Sequence, residues 1–159
     1  MMKEEFLQII NANRGLIFKV CNLYCYEQED KKDLFQEILL QMWKSYSGFR
    51  GDSALSTWIY RVAINTAVTY IKKIRRTVRQ SDEIIHLDIP DLLDSEDEEE
   101  KTSMLHEAIN QLDAIEKSII LLYLEDKSYH EISEITGFSK TNVGVKLNRI
   151  KTKLSNIIK

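Results

Sequence analysis

Apolar positions in this chain recur at intervals of three and four residues, the period of a helix with one buried face. Leu34, Ile38 and Met42, joined by Phe35, Leu39 and Trp43, make a broad apolar face, while Asp33, Gln36 and Glu37 fall on the opposite side. The same spacing predicts helices over roughly 3–13, 14–26, 30–46 and 55–77, and again over 104–112, 114–125, 129–136 and 140–157. One proline and five glycines supply too few turns for a succession of short strands. An all-α fold follows, as two small helical domains.

Punctuation between these stretches has physical causes. Asp30 or a neighbour offers a cap to the third helix, Gly48 and Gly51 break the pattern after it, and Asp52 or Ser53 is placed to cap the fourth. Ser128 followed by Glu131 is a capping box, in which each side chain bonds the other's backbone N–H. Gly137 then breaks the chain, Phe138 is expected as a buried anchor, and Ser139 caps the last helix. Helix, glycine turn, helix is the helix-turn-helix arrangement.

The chain has 159 residues and 43% hydrophobic content, enough for helical cores, with no apolar run of membrane-spanning length. The start MMKEEFLQII lacks the blocks of a signal peptide, so a cytoplasmic location is expected. The net charge of −3 conceals a segregation. Thirteen Lys and Arg stand against eight Asp and Glu over 1–80, one against ten over 81–103, and eight against seven over 104–159. The stretch 139–159 holds six Lys and Arg and no acid. Residues 81–103 therefore read as a solvated acidic tether, which cannot bury much surface, between domains at 1–80 and 104–159. Cys21 and Cys25, with no second pair and no histidine near, read as reduced packing residues rather than a zinc site.

Two segments carry candidate chemistry. In the first, Ile59, Ala63, Thr66, Tyr70 and Ile74 share one side of a helix, and Arg61, Asn65, Thr69, Lys72 and Arg76 share the other. Trp58 falls in that polar stripe, Lys73, Arg75 and Arg79 extend its charge, and the loop FRGDS precedes it. An indole for stacking, an amide for base edges and cations for phosphates are the needs of a single-stranded nucleic-acid site. On the last helix Val143, Leu147, Ile150 and Leu154 form a core stripe. Its exposed arc holds Thr141, Asn142, Val145, Lys146, Asn148, Arg149, Thr152 and Lys153, with Lys140 at its start. Asn and Arg pair with adenine and guanine edges in the major groove, Lys and Thr take phosphates, and a valine meets a thymine methyl. Gly144 is expected to allow close approach to the DNA backbone. His130 and Glu131 open like a zinc-protease motif, but Glu134 stands where the second histidine would be.

The strings DLFQEILLQMW, FRGDSALSTWIYRVAIN and SYHEISEITGFSKTNVGVKLNRIKTKL, in this order around an acidic linker, resemble bacterial RNA polymerase sigma factors of the extracytoplasmic-function type. The resemblance covers nearly the whole chain. It implies a sigma region 2-like domain followed by a region 4-like one, with no cofactor, no metal and no catalysis of its own. Asp33, Gln36 and Glu37 match the surface that docks on core RNA polymerase. Phe49, Arg50, Ser53, Leu55, Trp58, Arg61, Asn65, Thr69, Lys72, Lys73 and Arg76 match the reader of the single-stranded −10 promoter element, where a base is flipped out at a cost that stacking and edge hydrogen bonds offset. Lys140, Thr141, Asn142, Val145, Lys146, Asn148, Arg149 and Lys153 match the reader of the double-stranded −35 element. Ser133 departs from the alanine usual there, and Gly144 from a basic or polar residue. An anti-sigma partner is a further implication.

Two other readings remain at this point. A stand-alone helix-turn-helix regulator explains Ser128 to Lys153 but leaves the FRGDS loop and Trp58 without a role. A helical adaptor treats both basic stripes as coincidence.

Overall fold

The computed structural model describes residues 2–47, 49, 51, 54–81 and 98–158, with side chains described over 2–47, 49, 51, 54–74 and 104–158. Among these residues the chain forms eight helices and no strand. They are α1 (Met2–Ala12), α2 (Arg14–Tyr24), α3 (Gln28–Tyr46), α4 (Leu55–Ser81), α5 (Glu98–Asn110), α6 (Ala114–Leu124), α7 (Tyr129–Thr136) and α8 (Lys140–Ile158). The chain divides into two compact units, Met1–Asp88 and Ile89–Lys159.

In the first unit α4 packs on α2 and α3, α2 packs on α3, and α1 lies against α3. Ile17, Val20, Cys21, Leu34, Ile38, Met42, Ile59, Ala63 and Ala67 are fully buried. Ala63 and Ala67, one turn apart, keep the α4 surface low where other helices cross it. Each large aliphatic side chain contributes about 1.5–3 kcal/mol on burial. Both cysteines are buried free thiols, in accord with a packing role. Asp30 lies inside the first turn of α3 instead of capping it, for the N-cap residue is Glu27 and no side chain bonds there; the predicted caps Asp52 and Ser53, and the tether from 82 to 97, lie outside the described residues. Residues 98–103, which the sequence assigns to the tether, are helical. Helix α5 begins at Glu98.

In the second unit α8 packs on α5, α6 and α7, and α6 packs on α7. Its core is Ala108, Ile109, Leu112, Ile119, Ile120, Leu122, Ile132, Ile135, Val143, Leu147, Ile150 and Leu154. Two capping boxes start α6 and α7: Asp113 with Glu116, and Ser128 with Glu131. The first escaped the sequence reading, although its Asp-x-x-Glu spacing is the visible signal. Helix α6 ends with Asp126 in the left-handed region at φ 61°, where the N–H groups of Asp126 and Lys127 close back on the carbonyls of Tyr123 and Leu122.

Candidate nucleic-acid interfaces

The turn between α7 and α8 is built as the sequence predicts, and more tightly. Gly137 ends α7 at φ 87°, a backbone geometry suited to a residue without Cβ. The Ser139 hydroxyl accepts the Asn142 N–H at 3.1 Å and caps α8. Ser133 donates its hydroxyl to the Phe138 carbonyl at 2.5 Å, a bond that an alanine there could not make. Phe138 itself is half-buried rather than buried, and the Lys146 ammonium lies over its ring at 4.8 Å.

With Val143, Leu147, Ile150 and Leu154 facing inward, the outward arc of α8 presents Lys140, Thr141, Asn142, Val145, Asn148, Arg149 and Lys153, all exposed, with Lys146 half-buried beside them. Val145 is 42% exposed, an apolar side chain among polar neighbours. Beside Lys146, two further lysines have intramolecular partners that sequence spacing did not indicate. Lys153 reaches Glu116 at 3.1 Å, and Lys151 lies 4.2 Å from the Tyr123 ring. The hydrogen bond with Tyr123 raises the pKa of Lys151. Gly144 also has an intramolecular neighbour: a Cβ there would stand 3.4 Å from the Tyr129 ring of α7. That is an ordinary contact distance, so the α7 neighbour does not by itself require glycine at 144.

On α4 the polar stripe is real from its second turn onward. Arg61 is half-buried, and Asn65, Thr69, Lys72 and Lys73 are exposed, with the Thr69 hydroxyl bonded to the Asn65 carbonyl at 2.9 Å. The first turn is different. Trp58 is 6% exposed, beneath Phe49 at 5.0 Å and Tyr46 at 6.2 Å between ring centroids. The reading of Trp58 as an open stacking surface is therefore corrected: the end of α3 and the start of the loop cover that turn. Phe49 and Leu55 are half-buried, and Gly51 sits at φ 76°. Arg50 and Ser53 lie outside the described residues, as do the side chains of Arg75, Arg76 and Arg79.

On α3, Asp33 and Gln36 are exposed and Glu37 is half-buried, accepting the Gln41 amide at 3.0 Å. Leu40, 45% exposed, falls on the same face, and on the adjoining flank Phe35 stacks on Phe18 at 4.6 Å and 18°. The helical period alone names only the polar members of this face and leaves Leu40 unassigned. His130 bonds Glu134 at 3.0 Å, and Glu131 serves the α7 cap. Among the described residues no cluster of His, Cys, Asp and Glu could hold a metal ion, and no helix is long and apolar enough to cross a membrane.

Comparison with known proteins bears on these faces directly. The family described as Sigma-70 region 2 matches residues 9–77, and that described as Sigma-70, region 4 matches residues 102–154. The ECF RNA polymerase sigma-E factor of Haemophilus influenzae is 30% identical, over 98% of this chain and 88% of its own length. The chain belongs to the extracytoplasmic-function sigma factors. Another relative is the RNA polymerase sigma factor SigV of Bacillus subtilis, 29% identical over 92% of this chain and 87% of that protein. The fold is also that of a sigma factor RpoE from Bartonella quintana, solved with the anti-sigma factor NepR. That likeness has TM-score 0.73 and 21% identity over 98% of this chain and 95% of the other. CnrH, solved with the cytosolic domain of CnrY, gives 0.67 and 18% over 98% and 88%. In sigma-factor terms α2 to α4 form region 2 and α5 to α8 form region 4.

Proposed function

We propose that this sigma factor binds core RNA polymerase, directs it to promoters through −10 and −35 contacts, and assists strand opening from the cytoplasmic side. The observation that carries this reading is the pairing of two unlike cationic faces. One, on α4, is a polar stripe beside a loop and suits a separated strand. The other, on α8, is an exposed arc of Asn, Arg, Lys and a lone valine, and suits a major groove. Residues 1–80 and 104–159 act as the two grips, with the acidic stretch between them as tether.

Asn65 and Arg61 meet the unpaired −10 bases, with Thr69, Lys72, Lys73 and Arg76 on the adjoining backbone. Phe49, Arg50, Ser53 and Leu55 form the loop that holds an extruded base, and Trp58 supports that loop from beneath instead of stacking on the base. Asn142, Asn148 and Arg149 read −35 base edges, Val145 meets a methyl group, and Lys140, Thr141 and Lys146 take phosphates. Lys153 shares its charge between phosphate and Glu116. Asp33, Gln36 and Glu37, joined by Leu40, dock on the polymerase. RNA synthesis belongs to the polymerase, and this chain contributes no catalytic group or cofactor. An anti-sigma protein that covers these surfaces is a natural partner.

Run-off transcription with reconstituted core polymerase tests the reading. Initiation from cognate promoters only when this chain is present is the expected result. Absence of both core binding and initiation overturns it. A stand-alone regulator would bind −35 DNA without polymerase and leave initiation unaffected.

A further inference from the structure

Five aromatic rings run without a gap from the first helix to the proposed strand-opening loop. Phe6 of α1 meets Trp43 edge-on at 5.0 Å and 62°, and Tyr46 at 5.5 Å and 57°. Tyr46 meets Trp58 at 6.2 Å, and Trp58 meets Phe49 at 5.0 Å. Phe6 is 7% exposed although it lies on a short helix whose outer residues, Met2 and Leu7, are about half in solvent. Two polar bonds pin the same path: the Tyr46 hydroxyl donates to Glu5 at 3.4 Å, and the Phe49 N–H donates to the Tyr46 carbonyl at 3.0 Å. Residues 2–8 stand before the stretch that matches region 2, which begins at residue 9.

We propose that Phe6 is a positioning residue for promoter opening. It braces Tyr46, and Tyr46 with Trp58 fixes where Phe49 stands over the first turn of α4. The chemistry is suited to the task. Aromatic rings packed at an angle attract in an orientation-dependent way, so a ring at the base of the stack transmits an orientation that an aliphatic side chain of equal bulk does not. A loop that must hold an extruded base gains from being ordered beforehand, because the cost of ordering then does not fall on the opening step. Phe6 touches no nucleic acid in this scheme and acts through Tyr46. The inference rests on the proposed role of the loop and α4 in opening −10 DNA.

The test uses the full chain with core polymerase on two templates, a fully paired promoter and the same promoter with its −10 strands mismatched and already open. Phe6→Leu is expected to slow open-complex formation on the paired template by about two- to tenfold, the range that one aromatic pair supports. On the mismatched template it should act like the unmodified protein, and Phe6→Tyr, which keeps the ring, should do so on both. Equal loss on both templates, the mark of a generally weakened domain, overturns the proposal, and so does no loss on either. In a Trp43→Phe background Trp58 is the sole indole, and Phe6→Leu should open it to acrylamide quenching; unchanged quenching also overturns the proposal. Circular dichroism checks folding, and Phe6→Met replaces Phe6→Leu if the latter unfolds. Asn65→Ala runs beside these variants. Normal opening by Asn65→Ala removes the underlying reading of α4, whereas a defect in Asn65→Ala without one in Phe6→Leu removes only the role of Phe6.

Discussion

Cys21 has no exposed surface, and burial pushes its thiol up to about 11 against the smaller opposing influence of the Lys31 charge. At neutral pH the group is a protonated thiol, a poor nucleophile. Iodoacetamide should therefore leave Cys21 unmodified in the native protein at neutral pH and label it after unfolding in urea, as mass spectrometry would report. The same shift has a consequence for stability. Its folded pKa lies above the ordinary thiol value of 9.0, so the native state holds the proton more tightly. Tyr70 behaves alike, raised to about 12 by burial first and then by the negative field of Asp30. These contributions are complete below the unfolded pKa values and are lost as pH climbs towards the folded ones. The urea midpoint of the first unit should fall between about pH 8 and about pH 10.5; a midpoint constant over that range contradicts the assignment. That both cysteines are packing residues was legible from their spacing and isolation. The size of the shift was not, because it depends on which helices cover the thiol.

At the scale of the element, helix ends carry the most readable information. The boundaries of α7 and α8 fall where Ser128, Glu131, Gly137 and Ser139 place them, since a cap is a bond between neighbours in sequence. Glu131 shows the effect electrostatically: bonds from Ser128 lower its pKa, so this capping contribution is present above the ordinary glutamate pKa and lost as pH falls below it. The end of α6 is less well suited, for Asp126 occupies a left-handed conformation that disfavours a Cβ. Asp126→Gly should raise the stability of the second unit by roughly 0.5–1 kcal/mol, after the greater chain entropy of glycine is allowed for, as measured by urea denaturation. Gly144 gives the complementary case. Alanine gains up to about 1 kcal/mol of helix propensity, and its Cβ would meet the half-exposed Tyr129 ring at ordinary contact distance. Gly144→Ala is expected to be stabilising, and a lowered melting temperature would mean that Tyr129 cannot give way.

For the whole molecule, the two proposed grips, of different chemistry, imply separable defects. Arg149→Ala should weaken closed-complex formation by about 1–3 kcal/mol and relax preference at one −35 position, the worth of one bidentate base contact. Asn65→Ala should spare closed-complex binding and reduce permanganate-reactive thymines in the −10 region. Equal impairment of both steps by both variants would contradict the division of labour. The acidic run between the grips was visible as composition alone, a net excess of carboxylates that cannot be buried. Its last residues are nonetheless helical in α5.

The sequence by itself determined what depends on neighbours along the chain. It specified the helical period, the caps of α7 and α8, the glycine turn before α8, the inward stripe of Val143, Leu147, Ile150 and Leu154, and the order of motifs that places the chain among extracytoplasmic-function sigma factors. Only the tertiary structure decided what depends on neighbours through space. It buried Trp58 under Phe49 and Tyr46, turned Gly144 towards Tyr129, joined Lys153 to Glu116, and left Phe18 and Leu40 half in solvent. The physical reason is range. A cap or a helical face is set within four residues, whereas the cover over the first turn of α4 comes from the end of another helix, and periodicity cannot register that.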